Sequence, residues 1–200
     1  TLQATRFQDY QPFELYGVTI TPLPIWHGDD LISHGFAISI PPSSSKKDDD
    51  NDDDDYDDDM NTSRPLHIVY LSDISRMIPE TMEYILTQLP PTDIFICDAL
   101  RWHEPNPVHY SLDQAVALAR KIRPRRGTYL VGMSCDSFLP HDEMNAWLRQ
   151  EYYGNNNGED NDDDNDDDNN DGNSNKPGGK EKEDRLLIQL AHDGLVAAEL

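Results

Sequence analysis

Short apolar runs recur along the chain, and several of them have the length and composition of β-strands. The first, residues 17–25 (GVTITPLPI), is rich in β-branched side chains, and its prolines predict that its end lies at a sheet edge or in a loop. Residues 34–40 are its predicted strand partner across a loop. Further strands are predicted at residues 66–71, 94–97 and 128–133, with a hairpin at residues 186–191 and 195–200 around Asp193–Gly194.

The segments between these strands show the apolar periodicity of helices. Residues 79–89 place apolar side chains on one face, with a proline in the first turn, where a helix tolerates it. Ser111 is a predicted N-cap, and Gln114 three residues later has the spacing of a capping box. That helix ends before Pro124, and a last helix is predicted at residues 142–152. Strands that alternate with helices predict an α/β fold.

Two acidic tracts interrupt this pattern. Residues 43–63 hold 10 acidic and 2 basic residues, and residues 154–184 hold 12 acidic and 3 basic residues. Chains of Asp and Asn with almost no apolar side chains bury too little surface to offset their conformational entropy, so both tracts are predicted to be disordered inserts. We interpret them as solvated loops that the fold tolerates. The alternative is a segment that binds calcium or basic proteins, although the residue order of an EF-hand is absent.

Composition excludes several classes of partner. The formal net charge of −23 repels phosphates, so no binding to a nucleic-acid backbone is expected. No apolar run approaches the roughly 20 residues of a membrane helix, so no membrane partner is expected. Two well-separated cysteines form no disulfide framework and suit a reducing cytoplasm or nucleus. The chain opens at Thr1 without a signal sequence, and we expect its true N-terminus to lie upstream.

Side chains that can bind metals follow the predicted strands, where the loops of an α/β sheet gather ligands. They are His27, Asp73, Asp98, His109, Cys135, Asp136 and His141. Such side chains on separate strand ends can converge on one metal ion, but their spacing alone is a weak signal. Ordinary explanations also exist. His27 can be a loop histidine, and Asp73 can cap the turn into the following helix. Asp98 can bind backbone amides of loop 99–108, and His109 can pack beside Tyr110.

Several sequence blocks, taken together, are similar to one known family. They are VTITPLPIWHG, IVYLSDISRMIPE, DIFICDALRW, HYSLDQAVALARKIRP, TYLVGMSCD and LAHDGL, in that order. Apart from the inserts, residues 13–200 resemble the later half of metallo-β-lactamase-fold hydrolases, in the branch that contains the cyclic phosphodiesterase of phosphonate breakdown. The resemblance implies half of an αββα sandwich, in which residues 1–200 form a single half-domain with a mixed sheet and flanking helices.

The resemblance also implies two divalent metal ions, with zinc favoured and manganese as the alternative. His27 matches a ligand histidine, and Asp73 matches the carboxylate that bridges the two ions. His109 matches a histidine near the scissile phosphate, with an implied catalytic role as proton donor or charge stabiliser. Physical chemistry agrees, because two metal ions lower the pKa of a shared water and an imidazole can protonate a leaving alkoxide.

The chain departs from the family pattern in two places. None of its seven histidines forms an HxHxDH motif. Either an upstream segment of the same polypeptide supplies the remaining ligands, or the chain cannot hold two metal ions. Cys135 stands where relatives commonly have a ligand histidine. It is either a thiolate ligand, which suits zinc better than manganese, or a buried thiol at a metal position that has been lost. His141 in the same loop is a weaker substitute.

Two functions compete at this point. The first is a metal-dependent hydrolase of a small-molecule phosphodiester or related ester. The second is a non-catalytic binding or scaffold protein that kept the fold and lost part of the metal site. In both cases half a sandwich exposes an apolar sheet face, which predicts pairing with the upstream half or, as a homodimer, with a second copy. A weaker third hypothesis is that the acidic inserts recruit basic proteins.

Overall fold

The computed structural model describes residues 6–42, 64–153 and 185–191. Its strands are β1 (Phe13–Leu15), β2 (Val18–His27), β3 (Leu31–Ile40), β4 (Leu66–Leu71), β5 (Ile94–Asp98), β6 (Gly127–Val131) and β7 (Ile188–Leu190). Its helices are α1 (Pro79–Thr87), α2 (Leu112–Ile122) and α3 (His141–Leu148), and a π-helical turn, Arg149–Tyr153, continues α3. None of these described helices is long and apolar enough to cross a membrane. The predicted inserts, and the predicted hairpin strand at residues 195–200, lie outside the described residues.

The strands form one mixed sheet whose spatial order is their order in the chain. The pairs β1–β2, β2–β3 and β3–β4 are antiparallel, whereas β4, β5, β6 and β7 pair in parallel. One helix connects each parallel pair, as parallel strands require a crossover. Strands β2, β4, β5, β6 and β7 therefore run in the same direction. Their C-terminal ends meet at one edge of the sheet, which confirms the predicted α/β arrangement.

The prolines of β2 lie where the sheet needs no N–H donor from them. β1 pairs only with the first residues of β2. Beyond β1, the Pro22 carbonyl accepts a hydrogen bond from the Tyr10 N–H (3.0 Å), and the Pro24 carbonyl accepts one from the Thr81 hydroxyl (2.6 Å). These prolines therefore face the free side of the strand, where proline is tolerated. As a result β2 continues past the predicted end and reaches His27.

Elements with strong local signals begin and end close to their predicted positions. β4 has the predicted bounds, and α2 begins with the predicted capping box, in which Ser111 and Gln114 each bind the other's backbone N–H. The C-cap of α2 is Arg123, which has the left-handed backbone conformation and directly precedes Pro124. β3 begins earlier than predicted, and α1 ends earlier.

The two faces of the sheet differ in what covers them. One face packs against all three helices in a buried cluster that includes Leu23, Ile25, Val69, Leu71, Phe95, Leu130, Ile85, Leu112, Ala115 and Leu148. The opposite face, called here the open face, carries the partly exposed side chains of Ile20, Phe36, Ile38, Ile68, Tyr70 and Ile96. No described helix residue joins the small cluster on this face. The described residues therefore have the one-sided architecture expected of half a sandwich.

Candidate metal centre

Three of the predicted site residues converge at the edge where β2, β4 and β5 end. His27 is the last residue of β2, Asp73 follows β4, and His109 lies shortly before α2. Each offers one ligand atom, and these atoms all lie within 4.8 Å of one another. The imidazole rings of His27 and His109 have centroids 5.1 Å apart and planes at 69°. The fold thus brings together three metal-binding side chains that are far apart in the sequence.

The His27 ring is oriented by a backbone carbonyl. Its Nδ1 lies 2.8 Å from the Val108 carbonyl oxygen. Because a carbonyl oxygen only accepts hydrogen bonds, Nδ1 is the donor in this contact and Nε2 is the ring nitrogen left to bind an ion. Most histidines that bind metals are held in this way, with one ring nitrogen donating to the protein and the other facing the ion. His27 is therefore in a form that can bind a metal through Nε2.

Asp73 occupies an unusual backbone position. Its φ of 56° lies in the left-handed region, which aspartate tolerates better than most residues. The following turn is tied to the end of β2, because the Ser75 N–H donates to the Trp26 carbonyl (2.7 Å) and the Gly28 N–H donates to the Ser75 hydroxyl (2.9 Å). The Asp73 carboxylate, 60% exposed, is thereby held beside His27. It does not cap α1 itself, whose N-cap is Ile78.

His109 is oriented by a buried carboxylate. Its Nδ1 lies 2.5 Å from Oδ2 of Asp98, whose side chain is 3% exposed, and 3.9 Å from Oδ1 of Asp73. Asp98 also accepts a backbone hydrogen bond from Ile74. Burial raises the pKa of Asp98 above its ordinary value, against the lowering effect of its hydrogen bond with His109. The pair fixes the His109 ring and leaves Nε2 free to bind an ion or hold a proton. Its partners show that Asp98 does more than satisfy nearby loop amides.

Gly132 makes room for this carboxylate. It directly follows β6, and its φ is +73°. A Cβ at this position would lie 2.8 Å from Oδ1 of Asp98, which is too close for any other residue unless Asp98 moves. Both the backbone conformation and the contact require glycine here. Sequence reasoning missed this residue, because a single glycine after a strand is also common in ordinary turns.

Cys135 lies in the loop between β6 and α3 and is exposed. The interpretation of Cys135 as a buried thiol is therefore wrong: Met133 and Phe138 of the same loop pack against the core, whereas the Cys135 side chain is exposed. Cys135 and His141 are both outside the group formed by the three converging side chains. His141 is the first residue of α3, and its Nε2 lies 3.4 Å from the Ala191 carbonyl oxygen. The metal-ligand role of Cys135 stays a prediction.

The converging side chains are suitable donors for a divalent cation. Two imidazoles and one carboxylate are the ligand types of many zinc sites, and the same set is compatible with manganese. The Nδ1 hydrogen bonds made by both histidines supply the second layer of contacts that orients such ligands. The donor chemistry therefore fits a divalent metal. His27 and Asp73 supply part of its coordination, and His109 beside them can either bind the ion or carry a proton through Nε2.

Comparison with solved structures places this arrangement in a known fold. The chain is similar to a diphosphatase from the PhnP family, with 26% identity and a TM-score of 0.51 over 94% of this chain and 46% of that one. A metallo-β-lactamase fold protein, YhfI from Bacillus subtilis, has 16% identity and a TM-score of 0.48 over 74% of this chain and 49% of that one. An isothiocyanate hydrolase from Delia radicum gut bacteria has 10% identity and a TM-score of 0.40 over 72% of this chain and 52% of that one.

No family model matches the chain, and no curated protein matches it. The chain spans about half the length of the solved structures it matches. The sheet, its one layer of helices and the similarity to the PhnP-family diphosphatase show that the chain has part of a metallo-β-lactamase fold. This fold implies divalent metal binding, and His27, Asp73 and His109 are the candidate ligand cluster.

Proposed function

We propose that this chain is the C-terminal half of a metal-dependent hydrolase that acts on a phosphodiester or a related ester. The observation that carries the proposal is the convergence of His27, Asp73 and His109, with each ring held through Nδ1. The similarity to a diphosphatase supports a substrate with a phosphoryl group. In this proposal, an upstream segment of the same polypeptide covers the open face and supplies the remaining metal ligands.

Each converging side chain has a distinct role in the proposed reaction. His27, through Nε2, and the Asp73 carboxylate would hold the metal. When bound, a divalent metal supplies a Lewis acid that lowers the pKa of water to near neutrality. His109 holds a proton at Nε2 and delivers it to the leaving oxygen, while Asp98 keeps the ring in position through Nδ1. Cys135 remains a candidate ligand for zinc from the loop after β6.

The alternative function is a non-catalytic binding or scaffold protein. Cys135 favours this alternative, because it stands at an expected ligand position and yet lies outside the described cluster. In that case the protein uses the surface of the fold to bind a partner, and His27, Asp73 and His109 do not support catalysis. Metal dependence of catalysis separates the two functions.

Removal of metal is expected to abolish hydrolysis. We expect the full-length polypeptide to hydrolyse bis(p-nitrophenyl) phosphate, to lose at least about 100-fold of that rate after dialysis against a chelator, and to recover it with zinc or manganese. Steady-state rates before and after metal restoration give the measurement. Hydrolysis that persists in metal-free protein would contradict the proposal. Tightly bound metal without any hydrolysis would favour the scaffold alternative.

Replacing Asp98 by asparagine is expected to reduce hydrolysis by about 10- to 100-fold, the usual effect of losing a residue that orients a functional histidine. Asparagine keeps the volume but no longer provides a carboxylate for Nδ1 of His109. The structure offers a matched control, because Asp113 forms a similar but exposed contact with His103 (3.0 Å). Asp113→Asn should retain full activity. Equal rates for Asp98→Asn and wild type would show that this pair does not position His109.

A further inference from the structure

Three arginine side chains line a pocket far from the candidate metal centre. The pocket has a volume of about 290 Å³ and lies between the end of α2 and the start of β7. Arg120 and Arg123 approach it from α2, and Arg185 approaches it from the residues before β7. Its apolar walls are formed by Pro124, Leu186 and Leu187. The pocket therefore combines a concentrated positive charge with an apolar surface.

Two of these arginines lack a partner for their charge within the described residues. Arg64 and Arg125 at the same edge of the sheet bind the buried carboxylate of Asp93. No ion pair of this kind is formed by Arg123 or Arg185 among the residues that the structure describes. Arg123 is held at the pocket by its left-handed backbone conformation, which ends α2. Among the residues that the structure describes, therefore, no carboxylate neutralises these two guanidinium groups.

The third arginine is held in place by an aromatic ring. The Arg120 guanidinium carbon lies 5.8 Å from the centre of the Tyr152 ring, in the geometry of a cation–π contact. This contact positions the cation without neutralising it. Arg120 also lies in the last turn of α2, where a positive charge is favourable for the helix dipole. Stabilisation of α2 explains why a positive charge stands at Arg120. It does not explain the positive charge of Arg185, which lies in the segment before β7.

The topology separates this pocket from the candidate metal centre. α2 begins at the edge of the sheet that holds His109 and returns to the opposite edge before β6. With a rise of 1.5 Å per residue, its 11 residues span roughly 16 Å. A ligand in the pocket would therefore not contact a substrate bound at the metal centre.

We propose that this pocket is a second ligand site, which binds a small phosphorylated molecule. Residues 154–184 hold 12 acidic residues and end next to Arg185, so an external ligand has to compete with many carboxylates. A phosphate dianion carries more charge than a carboxylate and accepts paired hydrogen bonds from arginine. Pro124, Leu186 and Leu187 provide a surface for the organic part of the molecule. The pocket is larger than a bare phosphate needs, which favours a phosphomonoester over inorganic phosphate.

Calorimetric titration of the full-length polypeptide with adenosine monophosphate tests this site, with inorganic phosphate as the second probe. We expect adenosine monophosphate to bind more tightly, and its affinity to fall at least about tenfold in Arg123→Gln and in Arg185→Gln. Lys121→Gln is the matched control, since it removes one charge from the same helix outside the pocket lining. Its affinity should equal that of wild type. Circular dichroism of each variant verifies folding.

Two further arms identify the position of the bound ligand. Binding that survives Asp73→Asn lies outside the metal centre, as the proposal requires, and this result does not depend on whether the protein is a hydrolase. Loss of binding in Asp73→Asn alone would overturn it, and so would equal weakening by Lys121→Gln, which indicates unspecific charge. Binding that appears only after deletion of residues 154–184 would show that the acidic tract occupies the pocket instead, which also overturns the proposal.

Discussion

Asp93→Asn is expected to lower the free energy of unfolding by about 3 kcal/mol, because it removes a buried carboxylate from three charged or polar partners. The Asp93 side chain is completely buried at the N-terminal edge of the sheet. It accepts hydrogen bonds from Arg64 (2.8 Å) and from the His67 backbone N–H (2.9 Å), and the Arg125 Nε lies 3.2 Å away. These contacts connect β4, β5 and the residues that precede β6, so their loss affects the centre of the sheet.

This contribution to stability should depend on pH. Burial by itself raises the pKa of Asp93, but the His67 N–H, Arg64 and Arg125 together hold the pKa below its ordinary value. A carboxylate with a lowered pKa stabilises the folded state fully above its ordinary pKa and loses this effect as the pH falls through the folded-state pKa. The difference between wild type and Asp93→Asn should therefore be largest near neutral pH and shrink below about pH 4.

Urea unfolding of the full-length protein at several pH values measures both effects. Asp30→Asn is a suitable control, because Asp30 is exposed in the turn between β2 and β3. It should change the free energy of unfolding by less than about 0.5 kcal/mol. Equal stability of Asp93→Asn and Asp30→Asn at neutral pH would show that the Asp93 contacts contribute nothing to the fold.

Asp73→Asn is expected to reduce hydrolysis by at least about 100-fold, a larger loss than for a residue that only orients a ligand. Asparagine is accommodated at the left-handed backbone position as readily as aspartate, so the turn between β4 and α1 should keep its shape. What changes is the charge of the side chain and one of its two oxygen ligands. The expected loss therefore reports on metal binding and not on folding.

Asp136→Asn provides the matched comparison for this prediction. Asp136 is exposed in the loop between β6 and α3 and lies outside the converging cluster. Its substitution by asparagine makes the same chemical change and should leave the rate within about twofold of wild type. Similar rates for both variants, measured at saturating metal, would remove Asp73 from the proposed site.

Much of the fold was predictable because its signals are local. The apolar run of β4 and the capping box at Ser111 depend on neighbouring residues, and both elements start where predicted. The extension of β2 beyond Ile25 to His27 was not predictable in this way. It depends on pairing with β3 and on which side of the strand lacks a neighbouring strand. On that side the Tyr10 N–H and the Thr81 hydroxyl, both distant in the sequence, donate to the Pro22 and Pro24 carbonyls. Strand β1, three residues long, has no distinctive pattern of its own.

The candidate site was predictable as a set of strand-end residues but not as a set of contacts. His27 and Asp73 follow apolar runs whose ends meet at one edge, so their proximity follows from the α/β arrangement. The partnership of Asp98 with His109 depends on how the loop between them folds back, which no spacing rule determines. Likewise, the need for glycine at position 132 follows from its contact with Asp98, which the sequence does not reveal. The buried ion pairs of Asp93 could not be predicted from the sequence, because an aspartate before a strand is common in ordinary loops.

The metal content of the full-length polypeptide, compared between wild type and His27→Ala, shows whether the protein binds divalent metal ions and whether His27 is one of their ligands. Protein purified without added chelator is analysed by inductively coupled plasma mass spectrometry, with circular dichroism as the check on folding. We expect two divalent ions per chain in wild type and a clear loss of bound metal in His27→Ala, because the Nε2 ligand is removed. A folded wild-type protein without metal, or a His27→Ala protein that retains the full wild-type content, would show that His27 is not a metal ligand in this protein.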